Sequence, residues 1–118
     1  MNTKINLTWK GETYTLEYNR SSIILLENSG FKLEEFLAKP MSNIELAFSG
    51  AFLKNHPKLE QSKIDEIFKN LKNKNNLIVT LERMIRESYE SLLEEPEEDE
   101  EGNATWEVVD LSPKKSQK

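Results

Sequence analysis

Between residues 5 and 18 the chain alternates. Ile5, Leu7 and Trp9 are separated by polar residues, and so are Tyr14, Leu16 and Tyr18. Two period-2 runs around a short connection of Lys10, Gly11 and Glu12 predict a β-hairpin with one apolar face. An isolated hairpin is barely stable in water, so that face needs something to lie on. From Ser21 the period changes. SSIILLENSG predicts a short helix with Gly30 as its stop. FKLEEFLAKP puts Leu33, Phe36 and Leu37 on one face and closes at Pro40. SNIELAFSGAFLKNH begins with Ser42 three residues before Glu45, a capping-box spacing, and Pro57 ends it. Within it Ile44, Ala47, Phe48, Ala51 and Phe52 form a helical stripe. Gly50 costs that helix about 1 kcal/mol relative to Ala and leaves room for another backbone to come close.

Ser62 and Asp65 repeat the capping spacing, followed by a stripe of Ile64, Ile67, Phe68 and Leu71. After the polar break NKNN, residues 77–93 form the longest predicted helix. Leu77, Leu81, Met84, Ile85, Tyr89 and Leu92 share its apolar face; Glu82, Arg83, Arg86, Glu87 and Glu90 take the other. These elements make an α+β, mostly helical body over residues 1–93, with an N-terminal hairpin packed on a bundle of four to five short helices. Residues 94–118 read as a flexible, largely disordered acidic tail that carries a Trp-containing segment. No internal repeat is present.

Charge sharpens this division. Residues 1–93 carry 13 Lys and Arg against 12 Asp and Glu, whereas residues 94–110 carry nine acids and no base. Residues 111–118 add three lysines, which leaves the whole chain at −5. The body is thus nearly neutral, and it lacks the basic field that nucleic-acid binding uses. A nucleic-acid mimic would need an acidic folded surface, and here the acids sit in the tail. The absence of cysteine excludes disulfides and thiolate chemistry. The longest aliphatic run is the four-residue IILL, far short of a membrane span, and the N-terminus alternates rather than forming an apolar block, so no signal-peptide pattern is visible in it. The expected setting is a soluble protein in a cytoplasm.

The chemistry on offer is sparse. His56, the single histidine, falls at a predicted helix end with no second His or Cys to share a metal. Three carboxylate pairs, Glu34–Glu35, Asp65–Glu66 and Glu94–Glu95, lie on polar faces or in the tail, where nothing would shift a pKa toward acid–base work. DEEGNATWE lacks calcium-loop spacing, and no phosphate-binding glycine pattern exists. The expectation is a non-enzymatic protein without metal or cofactor. Two features suit a partner instead. Phe48, Phe52 and Phe68 form an aromatic stripe that belongs either to the core or to a groove for a partner helix. Trp106, Val108 and Val109 lie beyond EEPEEDEE, in which seven of eight residues are carboxylates. This run repels itself and stays extended. The Trp segment beyond it is either an idle tail or a short β-prone stretch that adds a strand to a sheet edge, of its own hairpin or of a partner, with the acids as its soluble tether. Phe48, Phe52, Trp106, Val108 and Val109 are the candidate partner-binding residues.

Three stretches, taken in order, carry a resemblance. They are INLTWKGETYTLEYNR at 5–20, KPMSNIELAFSGAFLKNHPKL at 39–59 and EGNATWE at 101–107. Their motifs are a Trp–x–Gly–x–x–Tyr hairpin, a Pro–Met before a helix of aromatic and small residues, and a Gly–Asn–x–x–Trp end. In this combination the chain resembles the small tail assembly chaperones of tailed phages and prophages of Gram-positive bacteria. The resemblance implies a protein that binds the tape-measure protein, keeps it soluble and helps bring tail tube subunits to it. It further implies action in the bacterial cytoplasm, absence from the mature virion and some capacity for self-association. A regulatory or anti-defence protein binding a host enzyme, and a structural tail component, are the alternatives.

The acidic run generates a direct prediction. Backbone NMR order parameters over residues 94–102 should fall well below those of the helix at 77–93, and equal values would refute the tether.

Overall fold

The computed structural model describes residues 2–94 and 102–110. Strands β1 (Ile5–Trp9) and β2 (Glu12–Leu16) pair antiparallel, with Leu7 opposite Tyr14 and Trp9 opposite Glu12. The connection is therefore two residues long, not three. Lys10 and Gly11 both have positive φ, 52° and 80°, which makes a type I′ turn whose twist matches that of the strands. No atom would crowd a Cβ at Gly11, so the backbone angle, not space, is what favours glycine there. Ile5, Leu7, Tyr14 and Leu16 share the face turned toward the helices, and Leu16 is fully buried.

Five helices follow: α1 (Arg20–Asn28), α2 (Leu33–Phe36), α3 (Pro40–Gly50), α4 (Gln61–Lys69) and α5 (Lys74–Leu92). The α+β, mostly helical reading holds. The first helix starts on a capping box: Asn19 accepts from the Ser22 N–H, and Ser22 Oγ accepts from the Asn19 N–H, both at 2.8 Å. It ends in a Schellman turn. The Phe31 N–H donates to the Leu26 carbonyl and the Gly30 N–H to that of Glu27, each at 3.1 Å, with Gly30 at φ 98°. Phe31 and Leu26 are both buried, as that motif's hydrophobic contact requires.

The other expected caps do not form. Pro40 occupies the first turn of α3, so Ser42 falls inside the helix and makes no capping box with Glu45. Likewise α4 starts after Glu60, which places Ser62 within the first turn and away from the cap position. The longest helix starts three residues earlier than its hydrophobic pattern suggests, with Asn73 before it in the left-handed region.

Helix α3 is the hub, packing against all four other helices. At its end, Gly50 faces Leu26 of α1, and a Cβ there would lie 2.9 Å from Leu26 Cδ2. The close approach is thus by a side chain and not by a backbone. Regular α-helix stops at Gly50, and residues 51–55 continue as tight turns. These turns hold the hairpin. Outward-pointing groups of β2 and its exit meet them one by one: Thr15 N–H donates to His56 Nε2 (3.0 Å), Asn55 Nδ2 donates to the Thr15 carbonyl (3.1 Å), and Glu17 N–H donates to the Ala51 carbonyl (3.0 Å). The Tyr18 hydroxyl, fully enclosed, donates to the Ala47 carbonyl at 2.5 Å. Burial pushes the Tyr18 pKa far up, so the hydroxyl remains a donor at any ordinary pH.

The core runs from Leu7, Tyr14 and Leu16 through Phe36, Phe48, Phe52 and Ile67 to Leu81 and Ile85. Two residues assigned to apolar faces lie outside it: Leu37 and Leu92 are more than half exposed. Glu82, assigned to the polar face, is instead nearly buried and takes two donors from Arg86.

His56 is a bracket between α3 and the hairpin, with its ring edge-on to Tyr14 at 5.2 Å. His56→Phe keeps the ring and removes the acceptor, leaving the Thr15 N–H unpaired. It should lower unfolding free energy by about 1–2 kcal/mol in urea denaturation. His56→Gln, which restores an acceptor, should recover part of the loss.

Candidate interaction surface

The candidate residues separate into two groups. Phe48 and Phe52 expose 1% and 0% of their surface, with ring centroids 5.1 Å apart in an edge-to-face contact. Phe48 also stacks at a tilt on the half-buried Phe68. The aromatic stripe is core, and the groove reading of Phe48 and Phe52 is corrected accordingly. Their rings pack between α3, α4 and the hairpin, and only the edge of Phe48 reaches a pocket of about 520 Å³ that Ile64 and the half-buried Phe68 also line. The other three stand in water. Trp106, Val108 and Val109 are 85%, 79% and 66% exposed, in a stretch without regular secondary structure. The sequence thus separates its candidates by position: those within a helical stripe pack, and those past the acidic run do not. Residues 95–101 of that run lie outside the described residues.

Exposed apolar side chains that the periodicity did not mark as a surface lie on the helices. Ile24 and Leu25 on α1, Met41 on α3, Val79 on α5 and Leu93 just after it all face solvent. The signal for the first pair was present. A helix with IILL in its centre buries one stripe, here Ile23 and Leu26, so the middle pair has to point outward. Met41 is the most exposed of the set, at 89%.

Helices α1 and α5 enclose a cleft of about 470 Å³. Ile23, Ile24, Tyr89 and Leu92 give it an apolar lining, and Arg20 and Lys54 contribute cations. Lys54 is held by Glu17 at 3.0 Å, whereas Arg20 forms no ion pair among the described residues. The Tyr89 hydroxyl donates to Glu27 at 2.6 Å. Desolvation, then the bond to Glu27, pushes the Tyr89 pKa up to about 12, so the phenol stays neutral. Among the described residues, no group of three or more His, Asp or Glu side chains is placed to hold a metal ion. No helix among them is long and apolar enough to cross a membrane.

Two carboxylates each accept a pair of donors from a distant part of the chain. Glu87 accepts from the Thr3 N–H (2.7 Å) and hydroxyl (2.9 Å), and chiefly the backbone donor holds its pKa below the usual 4.5. Glu17 accepts from Asn55 and Lys54, and is lowered chiefly by Asn55. A third, Glu66, pairs with Lys10 at the hairpin turn, chiefly through that hydrogen bond, and is also lowered.

These features define the class: a small hairpin-plus-helices protein with a closed core, an open apolar cleft and a separate apolar segment held in water. The chain belongs to the family described as a domain of unknown function, DUF5055, whose profile matches residues 1–109. No curated protein and no solved structure matches it. The family match continues past α5 and through Val109, so the Trp segment and the folded body are parts of one inherited unit.

The carboxylate contacts predict an acid transition. Their pKa values are lower in the folded than in the unfolded chain, so their contribution is present above about pH 4.5 and is lost as pH falls through the folded values. The thermal midpoint should therefore drop between about pH 5 and about pH 3. Glu87→Gln should lower it at neutral pH and flatten that dependence, as followed by circular dichroism.

Proposed function

We propose that this protein is a tail assembly chaperone, a non-enzymatic binder that coats a phage tape-measure protein, keeps it soluble and helps recruit tail tube subunits. On this reading it works in the bacterial host cytoplasm and is absent from the mature virion. The observation that carries the reading concerns two residues of the resembling motifs. Met41 of the Pro–Met motif and Trp106 of the Gly–Asn–x–x–Trp end are both almost wholly exposed, so core packing does not account for either. Apolar side chains held in water on a nearly neutral body suit reversible binding to another apolar, helical chain. A long tape-measure helix would bury them at little electrostatic cost.

Co-expression tests the proposal. The cognate tape-measure protein should stay soluble with the intact chain, and the complex should survive moderate salt, because buried apolar area is little screened. An acidic mimic of a host ligand would lose its target as salt rises. Met41→Asp should reduce the soluble tape-measure yield several-fold while leaving the chaperone's own thermal midpoint nearly unchanged, because Met41 touches little of the fold. If the intact chain cannot solubilise the tape-measure protein at all, the reading fails.

A further inference from the structure

Helices α2 and α5 leave a second groove, of about 560 Å³, which shares the Tyr89–Glu27 link with the α1–α5 cleft. One wall is Leu33 and Leu37, a helical turn apart; Leu33 is half-buried and Leu37 is 54% exposed. The other wall is α5, where Glu82, Arg86 and Tyr89 follow one another at helical spacing. Two ridges of this kind leave a furrow of the sort into which a third helix packs. No strand residue lines the groove, so an extended segment would find no ladder to join there. A helix arrives with its backbone bonds already made. The charge of the groove then selects the sign of that helix. Glu82 is held by Arg86, and the pair cancels. Glu27 keeps its charge, because the group it accepts from is the neutral Tyr89 hydroxyl. Glu34 is exposed and forms no ion pair among the described residues. Three carboxylates against one guanidinium leave two negative charges beside the two leucines, and no lysine lines the groove. The Tyr89 phenol feels this field: after desolvation and its bond to Glu27, the charges of Glu27 and Glu34 raise its pKa further.

We propose that this groove is a docking site for a cationic amphipathic helix of another protein, which sets apolar side chains on Leu33 and Leu37 and lysines or arginines beside Glu27 and Glu34. The two leucines and the Tyr89 ring receive side chains spaced one turn apart on the incoming helix. The two carboxylates stand where its basic flank falls, and they disfavour an acidic helix by like-charge repulsion. The chain's own 102–110 segment carries Glu107 and Asp110 and no base, so it is a poor occupant. A groove of this size receives only a few side chains, which puts the contact at the small, weak end of specific interfaces. The inference does not rest on the tape-measure reading, whose two carrying residues, Met41 and Trp106, lie outside the groove. The probes are synthetic peptides, so the two ideas succeed or fail separately.

The test uses the full-length chain and two labelled peptides of about 18 residues, long enough to turn helical on binding. Both carry leucines one turn apart on a single face; one flanks them with lysines, the other with glutamates. Fluorescence anisotropy at about 0.1 M salt should show the lysine peptide bound at least about tenfold more tightly, and about 0.5 M salt should narrow the gap. Backbone amide NMR shifts should move at 33–37 and 82–89 and stay still in the hairpin. Leu37→Ser should weaken the lysine peptide about tenfold, as expected for an interface anchor, and Glu34→Lys should remove most of the preference for it. Both positions are exposed, so circular dichroism should show an unchanged fold. Glu27→Gln keeps an acceptor for Tyr89 and drops the charge, so it should weaken the lysine peptide several-fold and leave the glutamate peptide no weaker. Equal affinity for the two peptides, or lysine-peptide binding untouched by Leu37→Ser and Glu34→Lys, overturns the proposal. Shifts confined to the acidic run at 94–101 overturn it too, since the peptide is then held by that run. Binding that appears only after residues 111–118 are removed gives the groove to the chain's own three lysines, and self-association abolished by Glu34→Lys gives it to a second copy; either result overturns the proposal.

Discussion

Everything in this fold depends on how the end of α3 receives the outer edge of β2. A two-stranded hairpin buries one face but leaves two edges of unpaired backbone, and is marginal by itself. Here the β2 edge is met by groups that a helix releases as it unwinds. Once regular hydrogen bonding stops at Gly50, the Ala51 carbonyl is free to accept from Glu17, and Asn55 and His56 are turned toward Thr15. The helix would satisfy these groups internally if it continued to Pro57. Ending it early converts a helix terminus into a surrogate third strand.

That junction also sets where the remaining helices go. Tyr18 pins the chain to the Ala47 carbonyl, and one residue later Asn19 caps α1. The direction of α1 is thus settled within four residues of the strand. Its Leu26 then reaches α3 at Gly50, where a larger residue would push it away. The Schellman turn at Gly30 folds Phe31 back onto Leu26 and Phe36, and the core closes around α3. Phe31, Phe36, Phe48 and Phe52 are used up in this closure, and only Phe68 stays half-buried at the α3–α4 surface. The large apolar side chains left to solvent therefore stand at the rim, Met41, Ile24 and Leu92 among them, and in the segment beyond the helices.

Much of this was legible along the chain, and the failures have identifiable causes. Strict alternation from Ile5 to Tyr18 defines the hairpin because a one-residue slip would turn every apolar side chain to water. The helical stripes of Ile44 to Phe52 and of Leu81 to Ile85 are core for the same kind of reason. Capping was misread at Ser42 because Pro40, which fits the first helical position, starts the helix before the serine is reached. Leu92 was misread because its stripe runs past the end of the body, where nothing remains to cover it. The exposure of Trp106 is shown by the structure alone, because a β-prone segment beyond a tether carries no sign of whether it docks or stands in water. The cleft did not follow from anything local, because Arg20 to Ile24 and Tyr89 to Leu92 meet only through tertiary packing.

The placement of the acids gives the segment its direction. Seven carboxylates precede Trp106 along the chain, and Glu107 and Asp110 flank the valines. Two such segments approaching each other bring like charges within a Debye length, about 8 Å at physiological salt, and the repulsion opposes a Trp-to-Trp contact that apolar attraction alone would favour. Like-charge juxtaposition of this kind suppresses wrong pairings in other interfaces. A neutral run of the same length would not oppose that contact.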